Sequence, residues 1–160
     1  MTYETFELPP AEVVDEYTDL SDVDIDTATV VDIYHQIGPA DHAMTTDELY
    51  RTLDTIDMLR EPDRTCYVAR DEQGDICAMS VYDIQSSGGW ISAIAVDAES
   101  RNAGVGTEFI NFLSDVTRQR QLGCLGLRSV PTAIPFYRKL GFSEDVDDPY
   151  PDAPLMRKYL

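Results

Sequence analysis

Two stretches of the chain hold residue types at spacings that could do chemistry. The first is Ile94-Ala95-Val96-Asp97-Ala98-Glu99-Ser100-Arg101-Asn102-Ala103-Gly104-Val105-Gly106-Thr107. It reads as a strand end, a loop, and a helix that begins on two glycines. Side chains are small where the chain would have to approach a ligand closely. A helix start offers unpaired backbone N–H groups and the positive end of the helix dipole, so it is an anion site, and a diphosphate is the natural guest. Arg101 adds positive charge in an acidic chain. An ordinary tight strand-to-helix turn is the competing reading. A dinucleotide fingerprint would need a third glycine, and a P-loop would need a lysine after Gly106; neither is present. The second stretch is Ala133-Ile134-Pro135-Phe136-Tyr137-Arg138-Lys139-Leu140-Gly141-Phe142. An aromatic pair sits mid-helix, followed by a basic pair and a glycine stop. Alone, Phe136 and Tyr137 would read as core residues. One helix and one strand separate the two stretches, and a crossover of that kind brings both helix starts to one sheet edge.

The elements that must position these residues follow from periodicity. Thr65 to Arg70 and Ile76 to Ile84 read as a hairpin around the Asp71–Asp75 turn, and Trp90 to Val96 reads as a third strand. Ser86-Ser87-Gly88-Gly89 reads as the turn before it. A helix runs from about Gly104 to Gln121, with Val105, Phe109, Leu113 and Val116 at helical spacing and Gly123 available for the left-handed stop. Cys124 to Arg128 is a short strand, Thr132 can cap the helix ending at Gly141, and Leu155 to Leu160 is a final strand. Upstream, Phe6 and Leu8 suit a short first strand. Pro9-Pro10 can open a helix through Tyr17. A second helix from Thr29 to Ile37 would present Val30, Ile33, Tyr34 and Ile37. Thr46 can cap a third through Leu49, Leu53, Ile56 and Leu59. The order predicts one α/β domain over residues 1–160, a mixed sheet with helices on both faces.

Composition narrows the function classes. The chain has 160 residues with 30 acids against 12 bases, a net charge of -18, and only two lysines, Lys139 and Lys158. Such a field repels phosphate backbones and argues against nucleic-acid binding. The acids are spread along the chain, which suggests adaptation to a salt-rich cytosol, where the Debye length falls to ~3 Å and self-repulsion is screened. No apolar run approaches the ~18 residues that would cross a membrane. The acidic start lacks the basic region of a secretory signal, so a cytoplasmic protein is expected. Cys66, Cys77 and Cys124 form no CxxC pair. With only His35 and His42 beside them they give no adequate zinc ligand set, so no metal is expected and the thiols read as reduced core residues.

At this point the sequence resembles the GNAT superfamily of acyl-CoA-dependent N-acyltransferases. Arg101-x-x-Gly104-x-Gly106 matches that family's pyrophosphate loop, Q/R-x-x-G-x-G/A. Ala133, Phe136, Tyr137, Lys139, Gly141 and Phe142 match its second signature, A-x-x-F-Y-x-K-x-G-F. The resemblance covers roughly residues 45–160, with an acetyl-CoA-binding core over 90–142, and residues 1–45 would supply the first strand and helices. It implies a single-domain GNAT fold and transfer of an acetyl group from acetyl-CoA, as co-substrate, to a primary amine on a small molecule, a peptide N-terminus or a lysine. Ile94, Ala95 and Val96 would lie on the splayed strand that pairs with the pantetheine arm, with the Val96 N–H a candidate oxyanion donor. Arg101, Asn102, Ala103, Gly104, Val105, Gly106 and Thr107 would cradle the pyrophosphate, and Phe136 would belong to the same binding wall. Tyr137 would sit near the thioester sulfur and protonate the departing thiolate. A homodimer is compatible with the resemblance.

The sequence also departs from the family. Many members carry a glutamate on the strand before the loop or on the strand after its helix. Trp90 to Val96 and Cys124 to Leu127 hold no acid. An ordered water, Asp83, His35 or His42 is left as the base, and the asparagine often found three residues before the motif alanine is Val130 here. A non-catalytic CoA-binding module, and the same fold with another acyl donor or acceptor, are the rival readings. Trp90, Tyr82 and Tyr67 are candidates for the acceptor wall or for the core. The acidic, proline-stiffened 145–154 segment reads as a solvated loop.

Overall fold

The computed structural model describes residues 1–7, 29, 30, 33, 63–86 and 88–160. The helices expected from Pro9 to Tyr17 and from Thr46 to Leu59 lie outside the described residues, as do Leu8, His35 and His42. So does most of the helix expected from Thr29 to Ile37.

Seven strands form one sheet in the order β1-β2-β3-β4-β5-β7-β6. They are β1 (Thr2–Phe6), β2 (Thr65–Arg70), β3 (Ile76–Gln85), β4 (Gly88–Val96), β5 (Cys124–Arg128), β6 (Ser143–Glu144) and β7 (Leu155–Tyr159). The first strand begins at Thr2, earlier than Phe6 and Leu8 suggest, because its alternating side chains pair with all of β2, from Thr2 opposite Arg70 to Phe6 opposite Cys66. Every pairing is antiparallel except β4 with β5. That parallel pair needs a crossover, and α1 (Val105–Gln119) supplies it. A short helix, α2 (Ile134–Lys139), follows β5 after a single 3-10 turn, Pro131–Ala133.

Side chains alternate across the sheet, so its two faces bury different clusters. Phe109, Ile110 and Leu113 of α1 pack on Tyr67, Tyr82, Ile91, Leu125 and Leu127, and Tyr137 and Phe142 join the same cluster. Val30 and Ile33, both in helical backbone, pack with Cys66, Val68, Met79, Val81 and Ala95 in the other. The mixed sheet with helical residues against both faces is therefore the architecture that the sequence predicts.

Several local expectations change. Gly88 and Gly89 lie inside β4 and are not a turn. A Cβ on Gly88 would come within 2.7 Å of Cys124 Sγ, and one on Gly89 within 2.5 Å of Tyr82 Oη and 2.8 Å of Thr117 Oγ1. The missing side chain of Gly89 admits the buried Tyr82–Thr117 hydrogen bond of 3.0 Å. Tyr67 and Tyr82 are core residues, at 7% and 0% exposure. At the end of α1, Gln121 takes the left-handed conformation (φ 60°) where Gly123 was expected to do so. The Gln121 N–H donates to Arg118 O and the Leu122 N–H to Thr117 O, which is the Schellman closure displaced two residues upstream. Thr132 falls within the 3-10 turn, and Ala133 precedes α2.

Candidate functional site

The β4–β5 ladder runs only from Gly89 opposite Leu125 to Ile91 opposite Leu127. Beyond it β4 continues through Val96 with its β5 side open. The cause is local. Val81 pairs with Ala93 and Tyr82 with Ile91, so Ser92 is an extra residue in β4. A bulge bends and twists its strand, and here it carries β4 away from β5. The Asp97 N–H donates to Cys77 O at 2.8 Å, toward β3. Backbone groups alternate in direction along a strand. Val96 and Ile94 therefore turn their N–H groups into the gap, while that of Ala95 faces β3. The side chain of Ala95 is buried in the core with Met79 and Val81.

After β4 a 3-10 turn, Ala98–Ser100, leads into the loop, and Arg101 Nε donates to Val96 O at 3.3 Å. Asn102 (φ 65°) and Gly104 (φ 83°) are both left-handed. Gly104 is the residue on which α1 opens, with no side chain capping the helix. The first helical hydrogen bond is Glu108 N–H to Gly104 O, so the N–H groups of Val105, Gly106 and Thr107 have no partner within the helix. A Cβ on Gly106 would meet Phe136 Cζ at 3.3 Å and Val96 Cγ2 at 3.7 Å. The two sequence stretches thus touch through a missing side chain. The end of β4, the start of α1 and Phe136 of α2 converge on Gly106.

The second stretch is a helix whose ending fixes its aromatics. Gly141 is left-handed at φ 93°. Its N–H donates to Arg138 O, and the Phe142 N–H donates to Tyr137 O, which completes a Schellman closure. The closure brings Phe142 against Tyr137, ring centroids 5.6 Å apart, and the Phe136 ring lies 5.1 Å from Tyr137. Tyr137 is 8% exposed. Burial pushes its phenol up to about 12, so it holds its proton throughout the neutral range.

Asp83 departs from the apolar run of β3. The residue is 8% exposed, Oδ2 lies 3.8 Å from Arg64 Nε and 3.4 Å from Gln85 Nε2, and buried Oδ1 accepts no hydrogen bond. Trp90 is its cross-strand partner and is half-buried. A lone acid in a hydrophobic strand was the only signal for this pair in the sequence. The 145–154 segment is solvated as expected, with Val146 93% and Tyr150 62% exposed, and it is also tied down. Arg128 donates to both Asp148 oxygens and lies 5.1 Å from the Tyr150 ring, and Arg157 donates to Asp145 at 3.0 Å. The Leu155 N–H and then Arg128 hold the Asp148 carboxyl below its usual range. Arg128, Tyr150, Pro151, Asp152 and Ala153 line a hollow of about 370 Å³ beside the end of β5. Among the described residues no cluster of three His, Cys, Asp or Glu side chains could hold a metal ion, and no helix is long and apolar enough to cross a membrane.

The strand that splays, the open helix start and the sealed aromatic helix define a class of protein, and comparison bears this out. Residues 62–144, just over half of the chain, match the model of the acetyltransferase (GNAT) domain. The chain belongs to the GNAT acetyltransferase family, a class of acyl-CoA-dependent N-acyltransferases. No curated protein matches it. Among solved structures it is similar to nourseothricin acetyltransferase, with 26% identity and a TM-score of 0.52, the match covering 62% of this chain and 66% of that one. An aminoglycoside 6'-N-acetyltransferase complexed with coenzyme A shares the fold at 14% identity and a TM-score of 0.70, over 99% and 97% of the two chains. The ribosomal-protein-S18-alanine N-acetyltransferase from Escherichia coli does so at 18% and 0.65, over 99% and 92%.

Proposed function

We propose that the whole chain acts as one acetyltransferase domain, which moves the acetyl group of acetyl-CoA directly to a primary amine. The observation that carries this reading is the convergence of Val96, Gly106 and Phe136, which puts an open strand edge, free helix N–H groups and the Tyr137 helix around one point. The cradle fits the donor. Val105, Gly106 and Thr107 N–H groups bind the pyrophosphate at the positive end of α1, and Arg101 to Gly104 wrap it with main chain and one guanidinium. Ile94 and Val96 pair with the pantetheine arm in the gap left by β5. The Val96 N–H receives the thioester oxygen as negative charge develops there, and the Phe136 side chain forms an apolar wall.

The acceptor nitrogen attacks the thioester carbon, a C–N bond forms and the C–S bond breaks. Sulfur leaves with the electron pair and takes the Tyr137 proton. The proton released from the attacking nitrogen restores the phenol through water. Burial that holds Tyr137 protonated also raises the basicity of a thiolate beside it, so acid and leaving group stay matched. The dispersed acid of the chain is an adaptation to a salt-rich cytosol, and assays belong in molar KCl.

Calorimetric titration of acetyl-CoA in molar KCl tests the donor site, with saturable one-to-one binding expected and weakening in Arg101→Ala. Coupled thiol detection over an amine panel then tests Tyr137. Tyr137→Phe should lower kcat by ~10²–10⁴ while acetyl-CoA affinity holds. A folded protein that binds no acetyl-CoA would overturn the reading.

A further inference from the structure

We propose that the sheet face carrying Val146, Tyr150 and Tyr159 is the contact through which two copies of this chain associate. Met156 packs into the α1 cluster, so its neighbours Leu155, Arg157 and Tyr159 face the other side of the sheet. Arg128, Gly126 and Cys124 of β5 stand opposite them in register. Val30 and Ile33 cover that side over β2 and β3. Over β5 and β7 apolar side chains are left in solvent instead: Val146 is 93% exposed, Tyr159 74% and Tyr150 62%. Val146 and Tyr159 line one hollow of about 220 Å³ with Ser143, Glu144, Asp145 and Arg157. Tyr150 lies against Arg128 on the same face. A contiguous apolar surface of this kind marks an interaction site. The sheet edge beside it is open too. β6 pairs only with Met156 and Arg157. The Leu160 N–H donates to Gly123 O, toward β5, so by alternation the main chain of Tyr159 turns outward, beyond the last β6 pair.

Charge selects the occupant. Residues 128–160 hold five acids and five bases, so the whole net charge of -18 lies on residues 1–127. Inside the neutral segment charges cancel in pairs: Arg128 with Asp148, Arg138 with Glu144, Arg157 with Asp145. A basic partner would be drawn to the acidic remainder of the surface and not to this face. A second copy is repelled wherever it presents that remainder, and least where two neutral segments meet. A two-fold contact sets the same patch of each copy against the other. Val146 and Tyr159 would then bury apolar surface without bringing net charge together. α1, whose start forms the proposed donor cradle, packs on the opposite side of the sheet and stays clear of the contact.

Sedimentation equilibrium of the full chain, at micromolar protein in half-molar and three-molar KCl, tests this. A dimer is expected. It should tighten as KCl rises, because salt screens the repulsion between two chains of net charge -18. Tyr159→Asp and Val146→Asp each set a charge against its own copy across the two-fold, and each should weaken the dimer at least tenfold. Both side chains are exposed, so neither the fold nor acetyl-CoA affinity should move. Ile84→Asp adds the same charge on β3, three strands from β7, at a residue 49% exposed, and should change the dimer less than twofold. A loss in either patch variant that is absent in Ile84→Asp places the contact on this face. A monomer at both salts, a dimer that loosens as KCl rises, or one indifferent to both patch variants overturns the proposal. The measurement needs no acetyl-CoA, so its outcome is independent of the acetyl-transfer reading.

Discussion

Gly104 and Gly141 share a left-handed backbone, φ 83° and 93°, and use it in opposite ways. Gly104 turns the chain into α1 with no side chain over the helix start, so three N–H groups are left for a ligand. Gly141 turns the chain out of α2 so that Arg138 and Tyr137 carbonyls are both taken up, by Gly141 and Phe142. One end is kept open and the other is sealed. The difference separates a binding device from a positioning device built with the same residue: in the proposed reading the open end meets the diphosphate, and the sealed end packs Tyr137 against Phe136 and Phe142.

The largest effect expected from this contrast is alkaline. If the sealed end truly buries Tyr137, its raised phenol must appear as a stability loss. Below pH ~10 both folded and unfolded chains hold the proton. Between there and about 12 only the folded chain does, so deprotonation favours unfolding and stability falls as pH rises. Near pH 11.5 the loss is about 2 kcal/mol. Cys66, pushed up to about 12 by burial, adds a loss of the same sign. Denaturant midpoints of wild type and Tyr137→Phe at pH 9 and 11.5 isolate the tyrosine. Parallel curves would mean that the ring is wetter than its packing implies.

A pair of substitutions sharpens the comparison itself. Alanine in a left-handed conformation costs ~1–2 kcal/mol. A Cβ at Gly104 meets nothing within 4 Å, and one at Gly141 meets only Lys158 at ordinary distance, so backbone strain is the whole structural effect at both. Gly104→Ala and Gly141→Ala should each lower Tm by ~2–8 °C for a chain of this size. Only Gly104→Ala should also weaken acetyl-CoA severalfold, whereas Gly141→Ala should show its excess loss in kcat. Equal calorimetric affinities for the two variants would break the division into open and sealed ends.

The same contrast explains what the sequence discloses. Both helix ends were legible because their information is local: a glycine pair after a strand, an aromatic pair before a glycine. The hairpin and α1 were legible from period alone. Gly88-Gly89 reads as a turn because nothing nearby in sequence says that Cys124, Tyr82 and Thr117 occupy the space beside it. The 145–154 segment is solvated as its composition says, but its ties are not legible because its partners, Arg128 and Arg157, arrive from β5 and β7. Asp83 finds Trp90 only through a hairpin register, and β4 leaves β5 because of one bulged residue, Ser92. Such placements depend on strand register and close packing, which composition and spacing do not encode.

The smallest expected effect lies at the third left-handed helix end. α1 closes on Gln121, φ 60°, with the same pair of hydrogen bonds that Gly141 makes for α2. A glutamine there bears the strain that glycine avoids, ~1–2 kcal/mol, while glycine would lose more freedom on folding, ~0.5–1 kcal/mol. The strain outweighs the entropy, so Gln121→Gly should stabilise by about 0.5–1 kcal/mol and raise Tm by ~1–4 °C. Because this end is sealed and distant in sequence from Gly104, acetyl-CoA affinity and turnover should not move. Calorimetric scans beside steady-state rates check both halves. A lower Tm would show that the Gln121 side chain makes contacts that outweigh its backbone strain, and that sealing a helix end here depends on more than glycine's freedom.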